Sequence, residues 1–236
     1  MADSAISWGQ SGILSMADSR KAVAVAAALV VTACGHIVLE LLSLHGWIAG
    51  PVRGVGVHHL FSAVAVAGWA VFLGTEVRRA HGVPAEWGIG LHGWMSSAGP
   101  VLWLMAAGTV LLLAYGWIAG RLPLRATFWM TLVLYPFWGL AQQFALQVLF
   151  HRNIRLAFGA RAWTIPMTGT VFALAHLPQG RLMLLTFVVG LLFSWIWASR
   201  DGSLWPIAIA HGWLGALAYY LVLGRDPLGE LLFGGV

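Results

Sequence analysis

Residues 127–150 read TFWMTLVLYPFWGLAQQFALQVLF, an apolar run that holds Gln142, Gln143 and Gln147 in its second half. A helix of about 20 apolar residues crosses the hydrocarbon layer of a bilayer. A carboxamide at that depth is costly unless it faces other protein or a wet cavity, so its position carries a functional expectation. Two further apolar runs each hold one histidine: VFALAHLPQG contains His176, and LWPIAIAHGWLG contains His211.

The rest of the chain is of the same kind. Of its 236 residues 60% are hydrophobic and 9% charged, too little polar surface to clothe a soluble globule, so the chain is an integral membrane protein. The formal charge of +5 comes from arginines and a lysine scattered singly or in pairs at the ends of apolar runs. They are topology signals and form no phosphate-binding face, which sets nucleic acid aside as a partner. The single cysteine, Cys34, leaves neither an intrachain disulfide nor a thiolate metal cluster.

Seven spans are expected: 22–44, 57–77, 100–119, 127–150, 163–177, 182–198 and 204–223. Residues 1–21 form a polar tail, and 22–236 a single all-α membrane domain. The stretch 80–99, with His81, Pro84, Glu86, Trp87, His92 and Trp94, is too polar and glycine-broken to cross, and reads as interfacial or re-entrant because tryptophan favours the headgroup zone. With the N-terminus inside, Arg20, Lys21, Arg78, Arg79, Arg152, Arg155, Arg161 and Arg200 fall on the cytoplasmic side, and Arg53, Arg121, Arg125, Arg181 and Arg225 on the other. That excess favours the N-in orientation, expected in a bacterial cytoplasmic membrane. Gly35, Gly68, Gly108, Gly139 and Gly190 are expected to let helices approach.

Three pieces in this order resemble the CPBP family of CAAX-processing and bacteriocin-processing intramembrane glutamic endopeptidases: the paired polar residues of span four, Phe172-Ala-Leu-Ala-His176, and Gly190-Leu-Leu-Phe leading on to His211. The resemblance covers about residues 127–223. It implies a polytopic bundle with a four-helix core around a polar cavity. There a glutamate of a Glu-Glu pair activates water with help from a first histidine, while a second histidine and an asparagine stabilise the oxyanion. Carried over, Phe172 and His176 match the second motif and His211 the third. The Glu-Glu positions fall on Gln142 and Gln143, the following arginine position on Gln147, and the asparagine position on Gly215.

A carboxamide has no protonation equilibrium near neutral pH, so Gln142 or Gln143 can orient a water but cannot deprotonate it. The remaining acid inside a clear span is Glu40, four residues after His36 and on the same helix face, which makes it the candidate substitute acid. Its other reading is a carboxylate that snorkels to the headgroups and bonds His36. Two histidines with amide oxygens could hold a divalent metal, but no carboxylate or thiolate stands beside them, and no metal site is assigned. Haem or chlorin contact through His45, His58, His59, His81 or His92 competes with their reading as interfacial histidines, and the sequence requires no cofactor.

Two functions follow. One is a protein with the protease fold that has lost glutamate-dependent proteolysis and binds a partner helix or hydrophobic ligand, as a subunit, assembly factor or anchor of a membrane complex. The other is an active endopeptidase with altered catalytic residues, acting on a transmembrane or lipidated substrate. Membrane lipids are partners in either case.

Overall fold

The computed structural model describes residues 16–49, 56–79, 87–90, 93–122, 124, 126–159, 162–199 and 203–229, and among these it is all-helical. Helix is what a bilayer demands, because hydrocarbon offers no partner to an unpaired N–H or C=O and the backbone must bond to itself. The helices are α1 (Met16–Leu44), α2 (Val57–Arg79), α3 (Trp94–Ile118), α4 (Ala126–Gln143), α5 (Asn153–Phe158), α6 (Thr164–Leu174), α7 (Gly180–Ser199) and α8 (Leu204–Ala218). A π-helical segment, Phe144–Arg152, joins α4 to α5, and a second, Tyr219–Leu223, ends α8.

Six stretches are long and apolar enough to cross a membrane: Asp18–Leu44, Val57–Arg79, Trp94–Ile118, Ala126–Phe158, Gly180–Ser199 and Leu204–Leu223. The expected fifth span is instead the 11-residue α6, too short by itself to qualify. The connections still carry the chain across the bundle there. Arg121 donates to the carbonyls of Leu221 and Val222, and Arg181 to the hydroxyl of Tyr115, so the ends of α3 and α8 lie with the start of α7. At the opposite end Lys21 pairs with Glu76, Arg155 reaches the carbonyl of Ala198, and Leu204 N–H donates to the carbonyl of Gly88. The stretch from α5 to Gly180 therefore runs from one end to the other.

Two expected boundaries move. Helix α1 starts at Met16, inside the tail expected to be polar. Helix α3 starts at Trp94 and continues through Pro100, where the expected third span begins. Trp87 is buried and its ring packs against Phe144, 5.4 Å between centroids. Trp205 Nε1 donates to the carbonyl of Ile89, which ties this short segment to α8. His81, Pro84, Glu86 and His92 lie outside the described residues, as do Arg53, Arg125, Arg161 and Arg200.

Helices α4 and α8 form the centre, and glycine makes the crossing close. A Cβ on Gly139 would stand 2.7 Å from the carbonyl oxygen of Ala208, and one on Gly212 would stand 2.5 Å from Cα of Pro136. Small residues give membrane helices their close packing in place of a hydrophobic force. Helices α6 and α7 meet at Gly169 and Gly190 in the same way, and Gly108 of α3 lies under Leu214 of α8. Gly35 faces Phe61, whereas Gly68 meets open space. The span containing α8 is 72% buried; that of α2 is 0% buried, and α2 packs chiefly on α1 at the periphery.

Candidate functional site

At the α4–α8 crossing the last turn of α4 points Gln143 at α8, and the contact is 2.7 Å between its amide and Nδ1 of His211. One turn on, the amide of Gln147 reaches that of Gln143 at 3.2 Å and the hydroxyl of Ser194 on α7 at 3.3 Å. Gln143, Gln147 and Ser194 are each 0% exposed, so the network is sealed in protein. Gln142, its neighbour, is turned away by the roughly 100° that separates successive helical residues and is half-buried.

Phe172 of α6 stands between the two motif histidines, its ring centroid 5.2 Å from that of His211 and 4.9 Å from that of His176. His176 directs Nδ1 at the carbonyl oxygen of Phe172, one turn back, at 2.7 Å. A carbonyl only accepts, so Nδ1 carries the proton and Nε2 of neutral His176 is a bare lone pair. Among the described residues neither Nε2 of His176 nor Nε2 of His211 takes part in a hydrogen bond. Gln143, His176 and His211 thus gather around Phe172, while Gln142 stays outside.

The asparagine position is closed by a ring. Gly215 lies one turn beyond His211, and a Cβ there would stand 2.8 Å from Cε1 of Tyr135 on α4. Glycine there supplies no side-chain donor, and the Tyr135 ring leaves little room for one. Glu40 belongs elsewhere: it pairs with His36 at 3.6 Å, and His36 in turn bonds Ser62 of α2 at 2.8 Å, with His58 5.7 Å away ring to ring. It shares no hydrogen bond or ion pair with Gln143, His176 or His211, and the described structure does not bring it to them. Among the described residues no three His, Cys, Asp or Glu side chains gather as a metal site.

What this arrangement offers is amides, one hydroxyl and two imidazoles, with no carboxylate hydrogen-bonded to them among the described residues. Such groups bind and orient hydrogen-bonding partners, and only the imidazoles exchange protons. Sequence reasoning missed Ser194, whose sole signal is a hydroxyl four residues after Gly190 in an apolar helix. It also missed His151, taken as a span end yet 0% exposed, with Nδ1 2.7 Å from the hydroxyl of Thr168.

No curated protein and no solved structure gives a significant match to the chain. A family model does, over residues 123–217: Type II CAAX prenyl endopeptidase Rce1-like. Its extent takes in α4, the π segment, α5, α6 with the turn after it, α7 and nearly all of α8, and so Gln143, Gln147, Phe172, His176, Ser194 and His211. Over residues 123–217 the chain is similar to the Type II CAAX prenyl endopeptidase Rce1-like family, in line with the resemblance to the CPBP proteases.

Proposed function

We propose that this membrane protein keeps the CPBP fold without glutamate-dependent proteolysis and works by binding, holding a partner's transmembrane helix or a hydrophobic ligand at the cleft beside His176 and His211. The observation that carries this reading is Gln143 itself. The residue at the water-activating position is an amide, sealed at 0% exposure and bonded directly to His211. An amide cannot act as general base, and Tyr135 occupies the space of the oxyanion-binding asparagine. As a subunit, assembly factor or anchor, the protein would sit in a bacterial cytoplasmic membrane with its N-terminus inside, the side that takes the larger share of arginines. The domain division would be a tail ahead of one membrane bundle.

The test pairs binding with catalysis. A photo-crosslinking side chain at Ala175, exposed beside His176, should give a discrete protein or lipid adduct in native membranes, absent when the probe sits at the lipid-facing Val133. Prenylated CAAX peptides should stay intact. The two histidines, whose Nε2 atoms make no hydrogen bond among the described residues, favour the second reading, an endopeptidase with altered chemistry. Cleavage that disappears in His176→Ala would establish that reading and overturn the first; purification of the protein with neither partner nor ligand attached would count against the first alone.

A further inference from the structure

Two sealed acceptor atoms lack a partner on successive turns of one helix: Oε1 of Gln147 and Nε2 of His151. Both residues are 0% exposed. An unsatisfied buried polar atom costs about 1–3 kcal/mol, and amide nitrogen and oxygen are told apart only by the network around them. The network here has a fixed end. The hydroxyl of Thr168 donates to the backbone carbonyl of Thr164 at 2.7 Å, and a carbonyl cannot donate in return. That hydroxyl, its proton committed, can only accept from His151, so Nδ1 of His151 carries the proton and Nε2 is a lone pair in need of a donor.

Side chains four apart on a helix are neighbours, and the group four residues before His151 is the Gln147 amide. If its N–H₂ end turns toward His151, directly or through one water, its oxygen faces Gln143 and Ser194. The amide of Gln143 must then donate to that oxygen and turn its own oxygen to His211. The 2.7 Å contact to His211 becomes an N–H···O bond at a length usual for that type. With both amides in this sense, a donor and an acceptor face each other where two acceptors stood.

We propose that Thr168, His151, Gln147 and Gln143 form one polarised hydrogen-bond file that holds His211 with its proton on Nδ1, leaving Nε2 a bare acceptor, as Nε2 of His176 is on the other side of Phe172. Gln147, His151 and Thr168 are positioning residues that act on His211 through Gln143. The consequence for chemistry is specific. Oxyanion stabilisation needs an N–H at that Nε2, and the file removes it from neutral His211. Nε2 of His211 and Nε2 of His176 are acceptors instead, so a ligand held at them presents hydrogen-bond donors, such as an amide, hydroxyl or ammonium group. The ligand class rests on the binding function proposed above, whereas the tautomer does not.

The tautomer is read by solid-state ¹⁵N NMR of the histidine-labelled protein in lipid bilayers, with His211→Asn, His176→Asn and His151→Asn identifying the signals. In the unsubstituted protein His211, His176 and His151 should each show a protonated Nδ1 and a bare Nε2. In His151→Asn, which can still accept from Gln147 and donate to Thr168, the His211 signature should persist. In His151→Leu, which cannot, it should give way to a mixture of tautomers. A protonated Nε2 on His211 in the unsubstituted protein overturns the proposal, and an unchanged His211 signature in a folded His151→Leu overturns the file. Crosslinking that fails at Ala175 while the expected tautomers are found removes the binding reading and leaves the file intact.

Discussion

Gly212→Ala should separate the two central helices, and the size of the effect follows from the crossing. The new methyl would stand 2.5 Å from Cα of Pro136 and 2.8 Å from the carbonyl carbon of Tyr135, with the nitrogen of Pro136 also in contact. These are backbone atoms, so no rotamer change relieves the clash. Carbon atoms rest about 3.5–4.0 Å apart, so α4 and α8 must part by about 1 Å at this point. His211 is the adjacent residue, and a displacement of that size lengthens its 2.7 Å contact with Gln143 beyond hydrogen-bond range. Overpacking typically costs ~1–3 kcal/mol; with immovable backbone on both sides the upper figure applies. For a chain of this size that is a fall in Tm on the order of 6–12 °C. Thermal unfolding in one detergent, with Gly68→Ala as the control whose methyl meets nothing within 4 Å, provides the comparison. A Gly212→Ala protein that melts with the unsubstituted one, and keeps its His211 signal, would refute the account of how this site is held.

Two further outcomes follow from contacts at either side of the site. Gly215→Asn alone should destabilise through its clash with the Tyr135 ring at 2.8 Å. Tyr135→Ala should make the asparagine tolerable, so a double-mutant cycle by thermal unfolding should return a coupling on the order of 1 kcal/mol or more; additive effects would mean that the ring does not fill that space. Arg121→Ala removes the donor to the carbonyls of Leu221 and Val222 at the end of α8. Hydrogen bonds to a charged group contribute about 1.5–3 kcal/mol, discounted here for partial exposure, so a fall in Tm of a few degrees and faster proteolysis at the C-terminus are expected. Unchanged proteolysis would show that the arginine does not hold that end.

What the sequence determines is set by composition and by motif order. The all-α membrane class and the placing of the long spans follow from apolar runs with isolated polar residues, because hydrocarbon forces helix and makes each polar side chain conspicuous. Facing is another matter. In α3, α7 and α8 nearly every residue is apolar, so no polar stripe marks the side turned to protein, as it does on a soluble helix. Only the tertiary structure decides that Gln143 enters the core while Gln142 does not, and that Ser194 joins it. It also decides that the ring of Tyr135 closes the place beside Gly215, since that depends on two glycines letting α4 and α8 touch. An amide at the position of an acid can be read in the sequence. The direction of its hydrogen bonds belongs to the fold, because it is set by a carbonyl on another helix that can only accept.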